Sequence, residues 1–282
     1  MPPKPVVVDP VLGPLTLDRL ARDVWVYQRS KGHRFSADDV ATAFVAYEAA
    51  PSARRVLDLG CGLGSVLLLL ASRLPDAELV GVEAQAQSFE LLSRNVAHNA
   101  LGGRVAIVHG DLRDVSPEGP FDLVTGTPPY FPPGHALDAA DEQRTYARIE
   151  HRGGVEAYVH AAARVLAGEG TLVLCGEARA ESRVSAAASE VGLSLVARTD
   201  IVARAGKPPL FAVWTLRRAP APERRDAVLV LRDAEGNRTE DAARLRAFSG
   251  VLGPAPTQRK LRTAIVSRQR AASSAARLEL LQ

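Results

Sequence analysis

Cysteine is nearly absent from this chain. The two that occur, Cys61 and Cys175, each close an apolar run, so no disulfide framework is implied and a reducing cytoplasm is the expected location. Long hydrophobic runs are missing too. The longest, Val66 to Ala71, falls far short of the roughly 20 residues that cross a bilayer, and no membrane partner is expected. The opening MPPKPVVVDP lacks the apolar stretch of a secretory signal, which argues against export. The histidines, His33, His98, His109, His135, His151 and His160, are scattered without metal-ligand spacing, so no metal is expected. Aromatic residues make up only 5% and offer few platforms on which a base could stack.

What is present describes an ordinary globular protein: 282 residues, 46% hydrophobic and 24% charged, enough for one large domain and a small appendage. The net charge of +3 is unevenly spread. From Arg217 onward there are 14 Lys and Arg against 7 Asp and Glu, a net of +7, which leaves −4 for the first 216 residues. The stretch TQRKLRTAIVSRQRAASSAAR contains no acid at all. Such a block attracts phosphate backbones, or else forms a solvated tail.

From residue 54 onward, short apolar runs alternate with helix-compatible segments, the pattern of a parallel sheet covered on both faces. Strands are expected at RRVLDL, AELVGVE, RVAIVHG, FDLVTG, GTLVLCG, LSLVART and LFAVWTLRR, the last two as a hairpin at one sheet edge. Helices are expected near Gly64–Arg73, Gln85–Ala100, Gly154–Ala167 and Ala180–Val191. Upstream, SADDVATAFVAYEAA reads as a flanking or lid helix with Ser36 as N-cap and Asp38 and Asp39 in its first turn. Downstream, AVLVLRDAEGNRTEDAARLRAF suggests one more strand, a turn at Glu235 to Asn237 and a short helix, with APAPE as a linker. The expected architecture is α/β: a Rossmann-like, seven-stranded, mostly parallel sheet, with an N-terminal flanking segment over 1–50, the main domain over 51–218 and a basic extension over 219–282.

VLDLGCGLGS places Asp58, Gly60, Cys61, Gly62 and Gly64 at the end of the first of these strands. A nucleotide-like ligand lying across a strand end needs glycine there, because a Cβ would hold the backbone away. A hydride-carrier fingerprint would have glycine at 65, where this chain has Ser65, and an acid at Asp58 would repel a pyrophosphate. Asp58 suits an ammonium-bearing tail instead, as in S-adenosylmethionine. Glu83 ends the second strand, where a carboxylate can accept both hydroxyls of a ribose. Asp111, followed by Leu112, ends the third and could accept from an adenine amine, although a lone acid after a strand is often a helix cap. Three acids at three successive strand ends point to one cofactor site. VLDLGCGLG, GVEAQ and GDLRD resemble the class I S-adenosylmethionine-dependent methyltransferases over about residues 54–217, and the resemblance implies that Gly60, Cys61, Gly62, Glu83 and Asp111 line the cofactor. GHRFSADDVATAF resembles a segment that closes over it.

At the end of the fourth strand stands TGTPPYF. Consecutive prolines fix two φ angles and remove two backbone donors, so the turn at Thr127, Pro128 and Pro129 presents carbonyl oxygens that can accept from an exocyclic amine. Tyr130 adds a flat face for a base, which a structured RNA would have to extrude. The turn is similar to the Asn/Asp/Ser-Pro-Pro-aromatic motif of amino methyltransferases. Together with GHRFS and VLDLGCG it looks most like the bacterial enzymes that methylate adenine N6 beside the anticodon of valine tRNA, which implies RNA, tRNA foremost, as partner. The family usually has Asn where this chain has Thr127, whose hydroxyl accepts one hydrogen bond but cannot do what an amide does. Two other readings stay open: methylation of a small molecule or a protein glutamine, and RNA binding without catalysis. Arg144, Arg148 and Arg152 lie near the presumed substrate loop, where they either meet phosphates or form a solvated surface; Arg164 lies further on. His151 is not needed as a base, because the amine proton can leave after methyl transfer and positioning supplies most of the rate.

Overall fold

The computed structural model describes residues 6–134, 141–218 and 223–250. The expected basic tail and most of the APAPE linker lie outside these residues.

The chain opens with a three-stranded antiparallel sheet, β1 (Val6–Asp9), β2 (Gly13–Arg19) and β3 (Trp25–Arg29). This corrects the expectation of a flanking helix alone, because only the second half of the N-terminal segment is helical, as α1 (Ala37–Ala49). Short strands with one buried face, such as the pattern of Leu15 and Val26 inward, leave little periodicity to read. At the start of α1 the Asp39 carboxylate accepts from the Ser36 backbone N–H at 2.8 Å, closing the expected cap.

The main body follows: β4 (Arg55–Leu59), α2 (Ser65–Arg73), β5 (Glu78–Glu83), α3 (Ala86–His98), β6 (Val105–His109), β7 (Phe121–Gly126), α4 (Glu142–Arg148), α5 (Val155–Val165), β8 (Leu166–Gly176), α6 (Glu181–Glu190), β9 (Leu193–Val202), β10 (Phe211–Arg218), β11 (Ala227–Val230) and α7 (Glu240–Ser249). The large sheet has eight strands in the order β11-β9-β10-β8-β7-β4-β5-β6. Only β10 runs against its neighbours. The eighth strand, β11, was expected as part of the appendage but pairs in parallel with β9, from Ala227 opposite Thr199 to Val230 opposite Val202. The β9–β10 pair is therefore antiparallel as expected but not at the sheet edge, since β11 covers β9.

Two apolar layers sandwich the sheet. On one face α1, α2 and α3 pack with residues of the N-terminal sheet and α7; on the other α5 and α6 pack around Phe121 and Trp214. Leu67, Leu68, Leu69 and Leu70 of α2 are all fully buried, which explains a helix apolar all round. Asn95 of α3 ties the small sheet to this body: its Oδ1 accepts from the Tyr27 N–H at 2.7 Å, and its Nδ2 donates to the Tyr27 carbonyl at 3.2 Å and the Leu63 carbonyl at 2.9 Å.

β6 follows β5 outward from β4, and the chain then returns to lay β7 on β4's other side. The carboxyl ends of β4 and β7 therefore form the switch point at which open α/β sheets bind ligands.

Candidate active site

A cleft with an empty volume of about 840 Å³, open mouth included, lies over this switch point, where open α/β sheets take their ligands. Eight of the sequence-derived candidates line it together: Gly60, Cys61, Gly62, Glu83, Asp111, Leu112, Thr127 and Pro129. Asp58, Pro128 and Tyr130 are not among the residues that line it.

The turn after β4 takes positive φ at Gly60 and Gly62, +58° at both, which a side chain rarely adopts. Hydrogen bonds hold it against β5: the Cys61 N–H donates to the Val82 carbonyl at 3.0 Å and the Gly62 N–H to Glu83 Oε2 at 2.8 Å. A Cβ on Gly60 would lie 2.2 Å from the Tyr158 hydroxyl, whereas one on Gly62 would project into open space. The backbone is thus bare where a ligand would lie on it.

Acids surround this turn. Asp58 is 2% exposed; its Oδ1 accepts from the Thr125 hydroxyl at 2.8 Å, and its Oδ2 is buried with no partner among the described residues. Burial pushes its pKa up to about 7, against the pull of the Thr125 hydrogen bond. Asp39, on the first turn of α1, lines the same cleft, and burial together with the charge of Asp38 raises it to about 8. Burial also raises Glu83, opposed by the Gln85 and Gly62 N–H donors and by Arg152. Asp111 is lowered, chiefly because both its oxygens accept from Arg113, at 2.9 and 2.8 Å. Asp111 therefore enters the cleft already paired.

Beyond the cleft wall, the Tyr130 hydroxyl lies 3.0 Å from Cys175 Sγ and donates to Asp38 Oδ2 at 3.1 Å. The ring packs against the core and does not line the cleft. Several lining residues went unnoticed in the sequence. Asp39 and His33 lie in GHRFSADDVATAF, whose resemblance points to the cofactor, but neither stands out there as a lining residue, and Tyr158 belongs to no motif. Arg152, read as either a phosphate contact or solvated surface, lines the cleft with its guanidinium 4.5 Å above the Tyr146 ring, and its Nη1 is buried without a hydrogen-bond partner among the described residues. Arg144 and Arg148 are exposed on α4, while Arg164 donates to the Leu112 carbonyl at 2.7 Å and has a structural task.

Among the described residues, no group of three or more His, Cys, Asp or Glu side chains is placed to hold a metal, and no helix is long and apolar enough to cross a membrane. The cleft does fit S-adenosylmethionine: buried carboxylates without a cation match its ammonium, Glu83 matches a ribose, and bare glycine backbone lets it lie close.

A doubly wound sheet with this cleft at its switch point defines the class, an S-adenosylmethionine-dependent methyltransferase. The family model "Methyltransferase small domain" matches residues 30–185, and the chain belongs to that family. It is similar to the tRNA1(Val) (adenine(37)-N6)-methyltransferase of Bacteroides thetaiotaomicron, 32% identical over 165 residues, covering 58% of this chain and 69% of that one. The enzyme of the same name from Yersinia pestis (strain Pestoides F) is 32% identical over 187 residues, covering 65% and 74%. Among solved structures, a predicted O-methyltransferase from Agrobacterium tumefaciens superposes with a TM-score of 0.57 at 19% identity, covering 78% of this chain and 99% of that one, a likeness of fold.

Proposed function

We propose that the protein methylates the exocyclic amine of an adenine, N6, in tRNA. One observation carries the reading: Thr127 and Pro129 of the TPPY turn face the same cleft as the glycine turn, so an amine held by the first meets a donor held by the second. The names of the two relatives support the choice of acceptor.

In this reading Asp39 and Asp58 take the ammonium end of the cofactor, Glu83 its ribose and Leu112, beside Asp111, its base. S-adenosylmethionine supplies the electrophilic methyl group. The chain's own part is to position. The proline turn offers carbonyl oxygens and the Thr127 hydroxyl as acceptors for the two amine protons, which draws the nitrogen lone pair out of conjugation and aims it. No side chain has to remove a proton beforehand, since orientation alone supplies several kcal/mol, up to about 7–11 in the best intramolecular cases.

The test is to incubate the protein with radiolabelled S-adenosylmethionine and tRNA lacking its native modifications, then digest and separate the nucleosides. Label in N6-methyladenosine is the expected result. Label confined to protein or to small molecules refutes the reading.

A further inference from the structure

Next to the cleft lies a second depression, walled by Arg29, Ser30 and Lys31 at the end of β3, by Asp141 and Arg144 at the start of α4, and by the β1–β2 turn. Its three cations against one acid give it a local charge of +2. The first 216 residues together carry −4, so this part of the surface opposes the charge of the domain that bears it.

The cations divide by role. Arg29 is fixed: it donates to the Leu12 carbonyl at 3.0 Å, to Gln87 at 3.1 Å and to Asp141 at 2.8 Å. That last bond engages Asp141, the one acid among the described residues that wall the groove. Lys31 and Arg144 are exposed, and their side chains make no hydrogen bond or ion pair among the described residues. Elsewhere Arg34, Arg94, Arg183, Arg198 and Arg224 are each tied to carboxylates. Two unspent cations thus sit on a rigid frame.

A single layer separates groove from cleft. Buried Gln143 accepts from Arg29 at 3.3 Å and from the His33 N–H at 3.2 Å, and donates to the Ser88 hydroxyl at 3.0 Å; His33 and Ser88 line the cleft. A base in the cleft and the phosphates of its own strand therefore have adjoining places.

We propose that this groove seats backbone phosphates of the RNA strand that presents the target base, with Lys31 and Arg144 as their partners. The inference rests on the reading of the acceptor as RNA. Exposed, unpaired cations flanking a positively charged groove are the arrangement by which proteins hold a nucleic-acid backbone in register without reading its sequence.

The test measures methyl transfer by the full chain to unmodified tRNA, over a series of salt concentrations, for Lys31→Ala, Arg144→Ala and the exposed control Arg179→Ala. Each groove variant is expected to raise KM for tRNA several-fold and to flatten the slope of log affinity against log salt by about 0.7–0.9. The cofactor Kd, the melting temperature and the control stay at wild-type values. If the wild type labels RNA while both groove variants keep its KM and slope, the groove inference alone is overturned. If the wild type labels no RNA, the acceptor reading falls and the groove inference with it.

Discussion

Cofactor affinity should depend on pH through two carboxylates, and the sign can be worked out. Asp58, raised from 3.8 to about 7, and Asp39, raised to about 8, hold protons in the empty cleft near neutrality. Asp39 feels Asp38, Ser36, Asp58 and Ser65, and Asp58 feels Thr125, the Leu67 backbone and Glu83. His33 also lines the cleft, and burial moves it below the ordinary imidazole value, against the pull of Asp38. On the proposed reading, an ammonium bound near the two acids favours their charged forms and expels protons. Below the raised pKa each proton released makes binding about tenfold tighter per pH unit. Between pH 5.5 and 6.5, one released proton therefore gives about tenfold and two approach a hundredfold. Above the α-amino range of about 7.7–8 the ligand's own amine loses its proton and the gain stops.

The same shifts act oppositely on the stability of the empty protein. A carboxyl whose folded pKa exceeds its unfolded value binds more protons folded than unfolded, so its stabilising share is complete below about 3.8 and is lost as pH rises toward 7 or 8. The melting temperature of the free protein should fall from pH 5 to pH 8, and S-adenosylmethionine should restore more of it at the upper end. Calorimetry at stepped pH checks the affinity, with methylthioadenosine, which lacks the amino-acid tail, as comparison. Asp58→Asn keeps an acceptor for Thr125 and removes the charge, so it should weaken cofactor binding, flatten its pH dependence and stabilise the empty protein at pH 8. An equal pH slope for both ligands, or none for the cofactor, would refute the pairing of these acids with an ammonium.

Gly60→Ala should abolish tight cofactor binding and lower the melting temperature, since a positive φ costs about 1–2 kcal/mol and the added Cβ meets the Tyr158 hydroxyl at 2.2 Å; thermal shift with and without cofactor reads both. Tyr130→Phe removes the 3.1 Å bond behind the TPPY turn, worth about 0.5–1.5 kcal/mol. It should lower kcat with cofactor affinity unchanged, as steady-state kinetics and calorimetry read. Asn95→Ala strips partners from the Tyr27 backbone and the Leu63 carbonyl and should cost roughly 1–3 kcal/mol per group left unsatisfied, measured by urea denaturation. Removing residues 255–282 should weaken tRNA affinity and flatten its salt dependence while leaving the cofactor Kd unaltered.

Legibility in the sequence followed the length scale of each signal. The parallel core was readable because buried parallel strands are continuously apolar, as in VLDL and TLVLC, and their helices are long enough to show a period. The glycine turn and its acids were readable because close backbone approach constrains residue type at fixed spacing. β11 escaped as a sheet member because AVLV pairs with a strand about 28 residues earlier, a contact with no local trace. The N-terminal sheet escaped for a related reason: its ties to the body include Asn95 and Asn99, polar residues in and just after α3, 68 and 74 positions away. Asp39 was visible as a helix-start charge in a segment whose resemblance places it over the cofactor, but the fold is needed to show which of its residues lines the cleft.

On the proposed reading, one bond couples the cofactor and acceptor sites. Thr125 lies on β7, two residues before the TPPY turn begins at Thr127, and its hydroxyl is the one side-chain hydrogen-bond partner of Asp58 on β4 among the described residues. α1 adds a second link, since Asp38 holds Tyr130 of the turn while its neighbour Asp39 faces the cofactor end of the cleft. A change of charge state at Asp39 and Asp58 when a ligand binds therefore acts on both ends of TPPY, through β7 from one side and through α1 from the other. Two adjoining acids and two adjoining strands suffice for this coupling, because the switch point places the carboxyl ends of β4 and β7 side by side.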